Sequence, residues 1–416
     1  MHVYFSGIGG AGIGPLALLA LDSGYQVSGS DITHSWFIDE LIARGAQINI
    51  SLPDSIFLSE KIKAVNPPTW LVQTSALPNN HPELVLAREA GLQTSKRAEF
   101  LLHILKKHNQ KLIAVSGTHG KTTTTGMLIW LARQLNISVS YLIGTNISWG
   151  PNAMLAARSR WFIYEADEYD RNMLQFHPEI AVVPSLDYDH PDIYPTVGDY
   201  RQAFIQFAQQ SQVIITSPEI EHLQETEALY PDSALLDDIT LPGIHSRNNA
   251  SLAITAFKQA GLSNDTNALI TAINNFPGTA RRFEKLADNL YTDYAHHPVE
   301  IAATLQLARE ISDNVVVVYQ PHQDRRQREI RDQYADAFKH ASKIYWLPTY
   351  EPIGRSSQAP LTQAELMTSL NNSEIAKSAS LDESLVDIIN KERTEGKLVL
   401  CFSAGTLDAF LRDNLV

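Results

Sequence analysis

The stretch KLIAVSGTHGKTTTT, residues 111–125, combines residue types that bind phosphate groups. An apolar, strand-like run leads into a turn that contains Gly117 and Gly120, and a helix is predicted to begin at Lys121. Glycines let backbone N–H groups approach phosphate oxygens, and a helix N-terminus adds the positive end of its dipole. The Lys121 ammonium would contact the outer phosphates of a nucleotide, and the Thr122 hydroxyl is placed to ligate Mg²⁺.

The spacing of this loop differs from G-x-x-x-x-G-K-[ST], because Val115 stands where the first glycine of that pattern would be. An ordinary strand–turn–helix, in which a threonine caps the helix, is the alternative interpretation. The next lysine after Lys121 is Lys258, so Lys121 is the one ammonium that this part of the chain offers to a phosphate. The predicted nucleotide-binding residues of the loop are Gly117, Thr118, His119, Gly120, Lys121, Thr122 and Thr123.

Acidic residues follow two later strands of the same predicted domain. The strand-like run Trp161–Tyr164 leads into EADEYD, which begins at Glu165, and the run Ile180–Pro184 is followed by DYDH, which ends at His190. Because the carboxyl ends of parallel strands meet at one edge of a sheet, we expect these side chains to face the phosphate loop. Carboxylate oxygens are the ligands that Mg²⁺ prefers, so the pattern favours a Mg²⁺-nucleotide site over a solvated acidic loop.

A second glycine-rich turn lies close to the N-terminus. His2–Ser6 is predicted to be a strand, Pro15–Leu21 an apolar helix, and Gln26–Ser30 a second strand that ends at Asp31. This arrangement is typical of a first βαβ unit that binds a pyrophosphate, with the acid near a ribose. A UDP-sugar carries the same pyrophosphate as a nicotinamide dinucleotide, and a tight packing turn is the alternative. The candidate contacts of the turn are Gly7, Gly9, Gly10 and Gly12.

The composition is that of a globular protein of two or three domains. The chain has 416 residues, 44% of them hydrophobic and 19% charged. A net charge of −13 argues against nucleic acid and against an anionic membrane surface as partners. The single cysteine, Cys401, excludes a disulfide framework. With no signal peptide or membrane-spanning run recognised, we expect a soluble cytoplasmic protein.

Taken together, the motifs resemble those of the Mur ligase family. They run nearly from end to end of the chain, as GIGGAG, KRAEF, GTHGKTTT, EADEYD, DYDHPDIY, GIHSRNNA, RRFE, YTDYAHHP, YQPH, EPI and SAGTLDAF. The resemblance implies an α/β fold of three domains. These would be a Rossmann-like UDP-sugar-binding domain (1–97), a P-loop-type ATP-binding central domain (98–279) and a Rossmann-like C-terminal ligase domain (280–416).

The same resemblance implies a reaction. The family uses ATP to turn a carboxylate into an acyl phosphate, which an amine then attacks to form an amide. The likeness is greatest to the L-alanine-adding members of peptidoglycan synthesis, which implies UDP-N-acetylmuramate and L-alanine as substrates, ATP and Mg²⁺ as cofactors, and a monomer or homodimer. By resemblance, Thr122, Glu165 and His190 hold or flank metal ions. The implied catalytic residues are Lys121, Glu165, His190 and Arg282.

The resemblance also marks residues for the nucleotide. The paired Arg281 and Arg282 at a domain junction suit a phosphate clamp that forms on closure, and a surface ion pair is the alternative. Asn249 matches the second asparagine of the family pattern G-x-H-N-x-x-N-A and is the candidate adenine contact, although Ser246 replaces the first asparagine. Asp293, at the end of a predicted strand, completes the predicted ATP-binding set.

Further residues are candidates for the substrates. Ser75 closes the predicted strand Trp70–Ala76. His296 precedes a predicted helix, and polar contacts to nucleotide or substrate are favoured over zinc because no third ligand stands at metal spacing. His322 and Arg326 are candidates for the carboxylate of the amino acid, although Gln323 replaces an arginine of the family pattern.

Three alternatives to an L-alanine ligase remain open. A recycling ligase would join a whole tripeptide to the same UDP-sugar, which requires room for a larger amine. A nucleotide-binding regulator would retain ATP binding without turnover, but Lys121, Thr122, Glu165 and His190 are all present. A nicotinamide oxidoreductase would account for the N-terminal glycine motif and would leave the phosphate loop unexplained.

Overall fold

Three β-sheets, each flanked by helices, position the candidate residues. This computed structural model describes residues 1–51, 54–74, 77–190, 192–220, 223, 227–351 and 360–416. Packing separates a first unit, Met1–Leu235 with Ala250–Phe276, from a second unit, Leu236–Asn249 with Pro277–Val416. The first unit holds two of the sheets and the second unit holds the third. Within the described residues, no helix has the length and apolar character needed to cross a bilayer.

The first sheet has five parallel strands in the order β3-β2-β1-β4-β5. The order reverses at β1, so the turn that follows β1 lies at the crevice where doubly wound sheets bind ligands. The strands are β1 (His2–Ser6), β2 (Gln26–Asp31), β3 (Gln47–Ile50), β4 (Trp70–Gln73) and β5 (Gln93–Lys96), and the helices are α1 (Gly14–Asp22), α2 (Trp36–Ala43), α3 (Ile56–Ile62), α4 (Pro82–Glu89) and α5 (Arg97–Lys107).

The second sheet has the order β11-β10-β6-β9-β7-β8, with β8 alone antiparallel to its neighbour. Here the reversal falls at β6, between β10 and β9, so the segments after these three strands share one edge. The strands are β6 (Lys111–Val115), β7 (Ser140–Leu142), β8 (Ala153–Met154), β9 (Trp161–Glu165), β10 (Ile180–Val183) and β11 (Val213–Thr216), and the helices are α6 (Lys121–Gln134), α7 (Val197–Gln209), α8 (Leu235–Asp238), α9 (Ile244–Gln259) and α10 (Thr266–Asn274), with a 3₁₀ helix at Tyr169–Gln175.

The third sheet has the order β12-β13-β17-β14-β15-β16, with β12 alone antiparallel. Its central strands β17 and β14 are buried along their whole length. The strands are β12 (Glu284–Ala287), β13 (Leu290–Asp293), β14 (Val315–Gln320), β15 (Lys343–Trp346), β16 (Ala376–Ser378) and β17 (Leu398–Ser403), and the helices are α11 (Pro298–Ile311), α12 (Asp324–Ile330), α13 (Gln363–Met367), α14 (Glu383–Thr394) and α15 (Leu407–Leu415), with 3₁₀ helices at Arg331–Tyr334 and Ser373–Ile375.

The sequence predicted most of these elements, and their ends differ by a few residues. The strand His2–Ser6 is confirmed with its predicted bounds, and the helix predicted after His296 spans Pro298–Ile311. The sequence also predicts a helix at residues 200–210 and a strand at residues 138–145. The observed helix α7 begins three residues earlier, because Thr196 and Asp199 form a capping box there. The observed strand is limited to β7. Part of the EPI turn, which starts at Glu351, lies outside the described residues.

The buried carboxylate of Glu83 links helix α4 to strands β1 and β2 of the first sheet. Glu83 of α4 is 2% exposed and accepts hydrogen bonds from the hydroxyls of Tyr4, Ser6 and Ser30. Replacing Glu83 by alanine would leave these hydroxyls without that acceptor, so we expect the free energy of unfolding to fall by about 2–4 kcal/mol. Urea denaturation measures this loss. Glu89→Ala, at an exposed site of the same helix, is the control; an equal loss there would contradict the prediction.

Candidate active site

The phosphate loop takes a conformation that requires its glycines. Gly117 has a φ of +149° and Gly120 a φ of +80°, in the range that side chains rarely adopt. A Cβ on Gly117 would also lie 2.8 Å from the carbonyl oxygen of Ser185. Gly120 immediately precedes α6. The loop therefore brings its backbone to the N-terminus of a helix of 14 residues, the arrangement that the sequence predicted for an anion.

Lys121 lies inside this loop and is largely buried. Its Nζ donates hydrogen bonds to the carbonyl oxygens of Gly117 (2.6 Å) and Thr118 (3.1 Å) and forms an ion pair with Glu168 at 2.8 Å. Burial lowers the pKa of Lys121, but the nearby carboxylates, Glu168 first among them, outweigh it, so the pKa lies above its ordinary value. The amine is therefore charged at neutral pH and is positioned to attract a phosphate.

Thr122 and Glu165 meet at the start of α6. The Thr122 hydroxyl donates to Oε1 of Glu165 at 2.6 Å, and the backbone N–H of Gly144 donates to Oε2 at 2.9 Å. Glu165 is the last residue of β9, which pairs with β6, so the sheet itself brings the carboxylate to the phosphate loop. Two of the three predicted metal ligands are thus in contact.

His190, the third predicted metal ligand, reaches the same region through Glu168. Its Nε2 lies 3.3 Å from Oε1 of Glu168, the carboxylate that also pairs with Lys121. His190, Asp170 and Arg171 all have a positive φ between 55° and 57°. Non-glycine residues in this conformation concentrate at functional sites, where the surrounding structure holds them in place.

The rest of the loop is held by the segment after β10. The Thr118 hydroxyl lies 2.6 Å from the carbonyl oxygen of Asp187 and 2.8 Å from the Tyr200 hydroxyl, and the backbone N–H of His119 donates to Ser185 Oγ at 2.7 Å. Thr123, the remaining predicted loop residue, is partly buried in the first turn of α6. The loop is therefore fixed on both sides, by the segments after β9 and β10.

The N-terminal glycine turn has its own internal support. Gly7, with a φ of +78°, and the following Ile8 donate backbone hydrogen bonds to the carbonyl oxygen of Ser30. Asp31 accepts a hydrogen bond from the Gly9 N–H at 2.8 Å. The residue predicted to contact the ribose therefore also stabilises the glycine turn. The N–H of Gly10 donates to the carbonyl oxygen of Gly7. Ser75 lies outside the described residues.

A cavity of about 230 Å³ joins the two ligand loops of the first unit. Gly12 of the N-terminal turn lines it from one side, and Lys121 and Glu165 line it from the other. Arg97 and Asp167, which form an ion pair at 2.8 Å, complete its charged wall. A ligand group in this cavity would be within reach of both glycine-rich turns.

The residues at this edge suit Mg²⁺ bound together with a nucleotide. Mg²⁺ is usually held by one or two carboxylates together with substrate phosphates and water, rather than by a complete protein cage. Consistent with this, the described residues contain no cluster of three or more His, Cys, Asp or Glu arranged for a metal. The hydroxyl and carboxylate oxygens of Thr122 and Glu165, already adjacent, are hard ligands of the type that Mg²⁺ prefers.

In the second unit, the paired arginines flank one aromatic ring. The guanidinium carbons of Arg281 and Arg282 lie 4.7 and 5.2 Å from the ring centre of Tyr294. Arg281 also donates to the carbonyl oxygen of Ser403 at 2.6 Å, and Arg282 lies 3.8 Å from Glu300. The predicted clamp residues are therefore adjacent, with Arg281 the more firmly held of the two.

The remaining predicted ligand residues of the second unit, for nucleotide and for substrate, lie at or just after the ends of β13 and β14. Asp293 accepts hydrogen bonds from two backbone N–H groups, and burial raises its pKa to about 6 against the opposing effect of Arg282. The rings of His296 and His322 lie 6.0 Å apart. His297 caps α11, which gives the second histidine of the pair a structural role. Arg326 lies in α12, which begins just after His322.

Asn249, the predicted adenine contact, is buried in α9 near His245. Burial lowers the pKa of His245 to about 4, and its buried Nδ1 has no hydrogen-bond partner among the described residues. Because 6.5 is the ordinary value, the unit holds His245 neutral and must lose stability when it is protonated.

We therefore expect the second unit to lose up to about 3 kcal/mol of stability as the pH falls from 6.5 to 4. This contribution of His245 is complete above pH 6.5 and disappears as the pH passes through the folded-state pKa. Denaturation at pH 7 and pH 4.5 measures the loss, and His245→Gln should show a smaller dependence on pH. The same dependence in the variant would contradict the prediction.

The sequence analysis missed three contributors to the site. Glu168 and Asp167 were recognised only as parts of an acidic motif, and Arg97 only as part of KRAEF. Glu168 is the ion-pair partner of Lys121, and Arg97 and Asp167 line the cavity between the loops. The signal available was that Arg97 directly follows β5 and that Asp167 and Glu168 come just after β9, each at the carboxyl end of a parallel strand.

Family models match three consecutive segments of the chain. They are the "Mur ligase family, catalytic domain" at residues 2–109, the "Mur ligase middle domain" at 115–228 and the "Mur ligase, glutamate ligase domain" at 281–405. The UDP-N-acetylmuramate–L-alanine ligases of Clostridium acetobutylicum and Clostridium tetani are 30% and 31% identical to the chain. The matches cover 97% and 99% of this chain and 95% and 98% of the relatives.

Solved structures share the fold over the whole length of the chain. The UDP-N-acetylmuramate–alanine ligase of Thermotoga maritima superimposes with a TM-score of 0.77 at 23% identity, covering 100% of this chain and 98% of that one. A murein peptide ligase of Psychrobacter arcticus gives a TM-score of 0.66 at 23% identity with the same coverage. These structures bear out the expected α/β architecture with three sheets.

Proposed function

Because the chain belongs to the Mur ligase family, we propose that it joins L-alanine to the lactyl carboxylate of UDP-N-acetylmuramate, using ATP. The proposal makes it an amide-forming ligase of peptidoglycan precursor synthesis. Curated relatives with that name match nearly the full chain at 30–31% identity. A cytoplasmic location, a monomer or homodimer, and domain boundaries after residues 97 and 279 stay predictions.

The reaction has two steps. A carboxylate oxygen of the sugar attacks the γ-phosphorus of ATP, the bond to ADP breaks, and an acyl phosphate forms. The amine of L-alanine then attacks the acyl carbon, phosphate leaves with the bonding electrons, and the nitrogen loses a proton to give the amide. The first step brings anions together, so the site must supply positive charge.

One observation carries the proposal: a single cavity is lined by Ala11 and Gly12 of the N-terminal glycine-rich turn and by Lys121 of the phosphate loop. In the proposed complex, the N-terminal turn binds the pyrophosphate of the UDP-sugar and the second turn binds the phosphates of ATP. Lys121 contributes a fixed charge to the transferred phosphoryl group. The carboxylate and the phosphate that must react would then meet in the cavity between the turns.

Thr122 and Glu165 would hold Mg²⁺. His190, whose ring contacts Glu168, would lie beside the ion. The ion would neutralise phosphate charge during transfer. Glu165 is kept in place by the Gly144 N–H, which leaves its carboxylate directed at the phosphate loop. Within the second unit, we propose Arg281, Arg282, Asn249 and Asp293 for the nucleotide, and His296, His322 and Arg326 for substrate.

Phosphate release tests this function. The chain is incubated with ATP, Mg²⁺ and UDP-N-acetylmuramate, with L-alanine in one sample and the tripeptide L-alanyl-γ-D-glutamyl-meso-diaminopimelate in another. Release that depends on L-alanine supports the proposal. Release with the tripeptide alone would make the chain a recycling ligase, a type found among its structural relatives. ATP binding without release in either sample would indicate a regulator.

A further inference from the structure

Arg97 brings a second cation into the cavity that Lys121 lines. It is the first residue of α5, directly after β5, and its side chain is 23% exposed. On one side its Nη2 donates to Asp167 at 2.8 Å. On the other side the guanidinium packs against the N-terminal turn so closely that a Cβ on Gly12 would lie 2.7 Å from Nη1. Arg97 therefore contacts the N-terminal turn and the segment after β9 at the same time.

Most of the hydrogen-bonding capacity of this guanidinium is unused. An arginine carries five N–H donors. Among the residues that the structure describes, Asp167 accepts the only hydrogen bond from Arg97, and the Nε–H is buried without a partner. A buried donor without an acceptor is unfavourable, so an acceptor supplied by a ligand would stabilise the arrangement.

The position of Arg97 defines the chemistry of that ligand. The acceptor must lie between the turn assigned to the sugar nucleotide and the lysine assigned to the γ-phosphate. In the proposed reaction, the group that occupies this place is the carboxylate that becomes phosphorylated. A planar guanidinium with several free donors matches a carboxylate in shape and in charge.

Resting on the proposed function, we propose that Arg97 binds the lactyl carboxylate of UDP-N-acetylmuramate and presents it to the phosphate held at Lys121. Asp167 orients the guanidinium from the far side. A side chain at Gly12 would displace the guanidinium from this place, because its Cβ would lie 2.7 Å from Nη1. A purely structural ion pair is the competing explanation, and partly exposed pairs of this kind add little to stability.

A pair of ligands that differ in the lactyl group separates these explanations. UDP-N-acetylglucosamine has the same nucleotide and sugar as UDP-N-acetylmuramate but lacks the lactyl carboxylate. Calorimetry of the full chain without ATP gives both affinities. We expect Arg97→Ala to weaken binding of UDP-N-acetylmuramate by about 10–100-fold and to leave UDP-N-acetylglucosamine binding unchanged, because a hydrogen bond to a charged group is lost only with the first ligand.

Two further variants complete the design. Arg97→Lys keeps the charge without the planar fork and should give an intermediate loss, so it carries the test if the alanine variant does not fold. Asp167→Asn keeps the guanidinium and should retain the preference for the lactyl-bearing ligand.

Equal weakening of both ligands in Arg97→Ala, or of neither, would overturn the proposal for Arg97 alone. A wild-type chain that binds neither sugar nucleotide would overturn the proposed function and this proposal with it.

Discussion

Replacing Lys121 by alanine is expected to lower the rate of ATP-dependent phosphate release by about 10³-fold or more. Lys121 is the ammonium inside the phosphate loop, and its Nζ lies within 3.1 Å of two loop carbonyl oxygens. Because the charge is held in place before the reaction, its loss should affect phosphoryl transfer more than nucleotide binding. Steady-state kinetics with all three substrates, together with an ATP-binding measurement, tests this separation.

The substitution also removes the ion-pair partner of a buried carboxylate. Glu168 is 3% exposed, so Lys121→Ala leaves a buried charge and should destabilise the first unit by about 3–5 kcal/mol. The double variant Lys121→Ala with Glu168→Gln removes both charges and should recover part of this stability. We expect its activity to stay as low as that of the single variant. Activity that returns together with stability would show that Lys121 acts through folding rather than on the phosphate.

Lys258→Ala is the matched control for charge. Lys258 is the next lysine in the sequence and lies in the last turn of α9, away from the phosphate loop in the chain. Its replacement should leave phosphate release near the wild-type rate. A comparable loss in both lysine variants would contradict a specific role for Lys121.

The phosphate loop could be located from the sequence because its requirements are local. Two glycines, a lysine and a threonine within six residues, after an apolar strand, determine the conformation of a short segment. The structure confirms the helix that begins at Lys121, and Gly117 and Gly120 both have a positive φ. The α/β fold was implied by the family resemblance, and the matched family models and the three sheets bear it out.

The partners of these residues could not be predicted in the same way. The five residues after β9, at positions 166–170, carry three carboxylates, and their order does not show which of them turns toward Lys121. The backbone is left-handed at Asp170 and Arg171, and neither residue is the glycine that would indicate such a conformation in the sequence. Arg97 joins a turn near residue 12 to an acid at residue 167, a proximity that only the packing of two sheets creates.

The second large effect is expected at Glu165. Glu165→Gln keeps the size of the side chain and one carbonyl oxygen, but it removes the negative charge beside Thr122. If Glu165 holds Mg²⁺, the variant should lose about 10²–10³-fold in the rate of phosphate release and should need a higher Mg²⁺ concentration for half-maximal rate. Titrations of Mg²⁺ at saturating ATP measure both changes.

A carboxylate at the opposite end of β6 makes the control specific. Glu179 accepts a hydrogen bond from the N–H of Leu112 at 2.7 Å, near the start of β6, whereas Glu165 accepts from backbone and hydroxyl at the edge where β6 ends. Glu179→Gln therefore makes the same change of charge at a similar structural contact without touching the phosphate loop. We expect it to alter stability modestly and to leave the Mg²⁺ dependence unchanged. If both variants lose rate with an unchanged Mg²⁺ requirement, Glu165 supports the sheet and does not hold the metal.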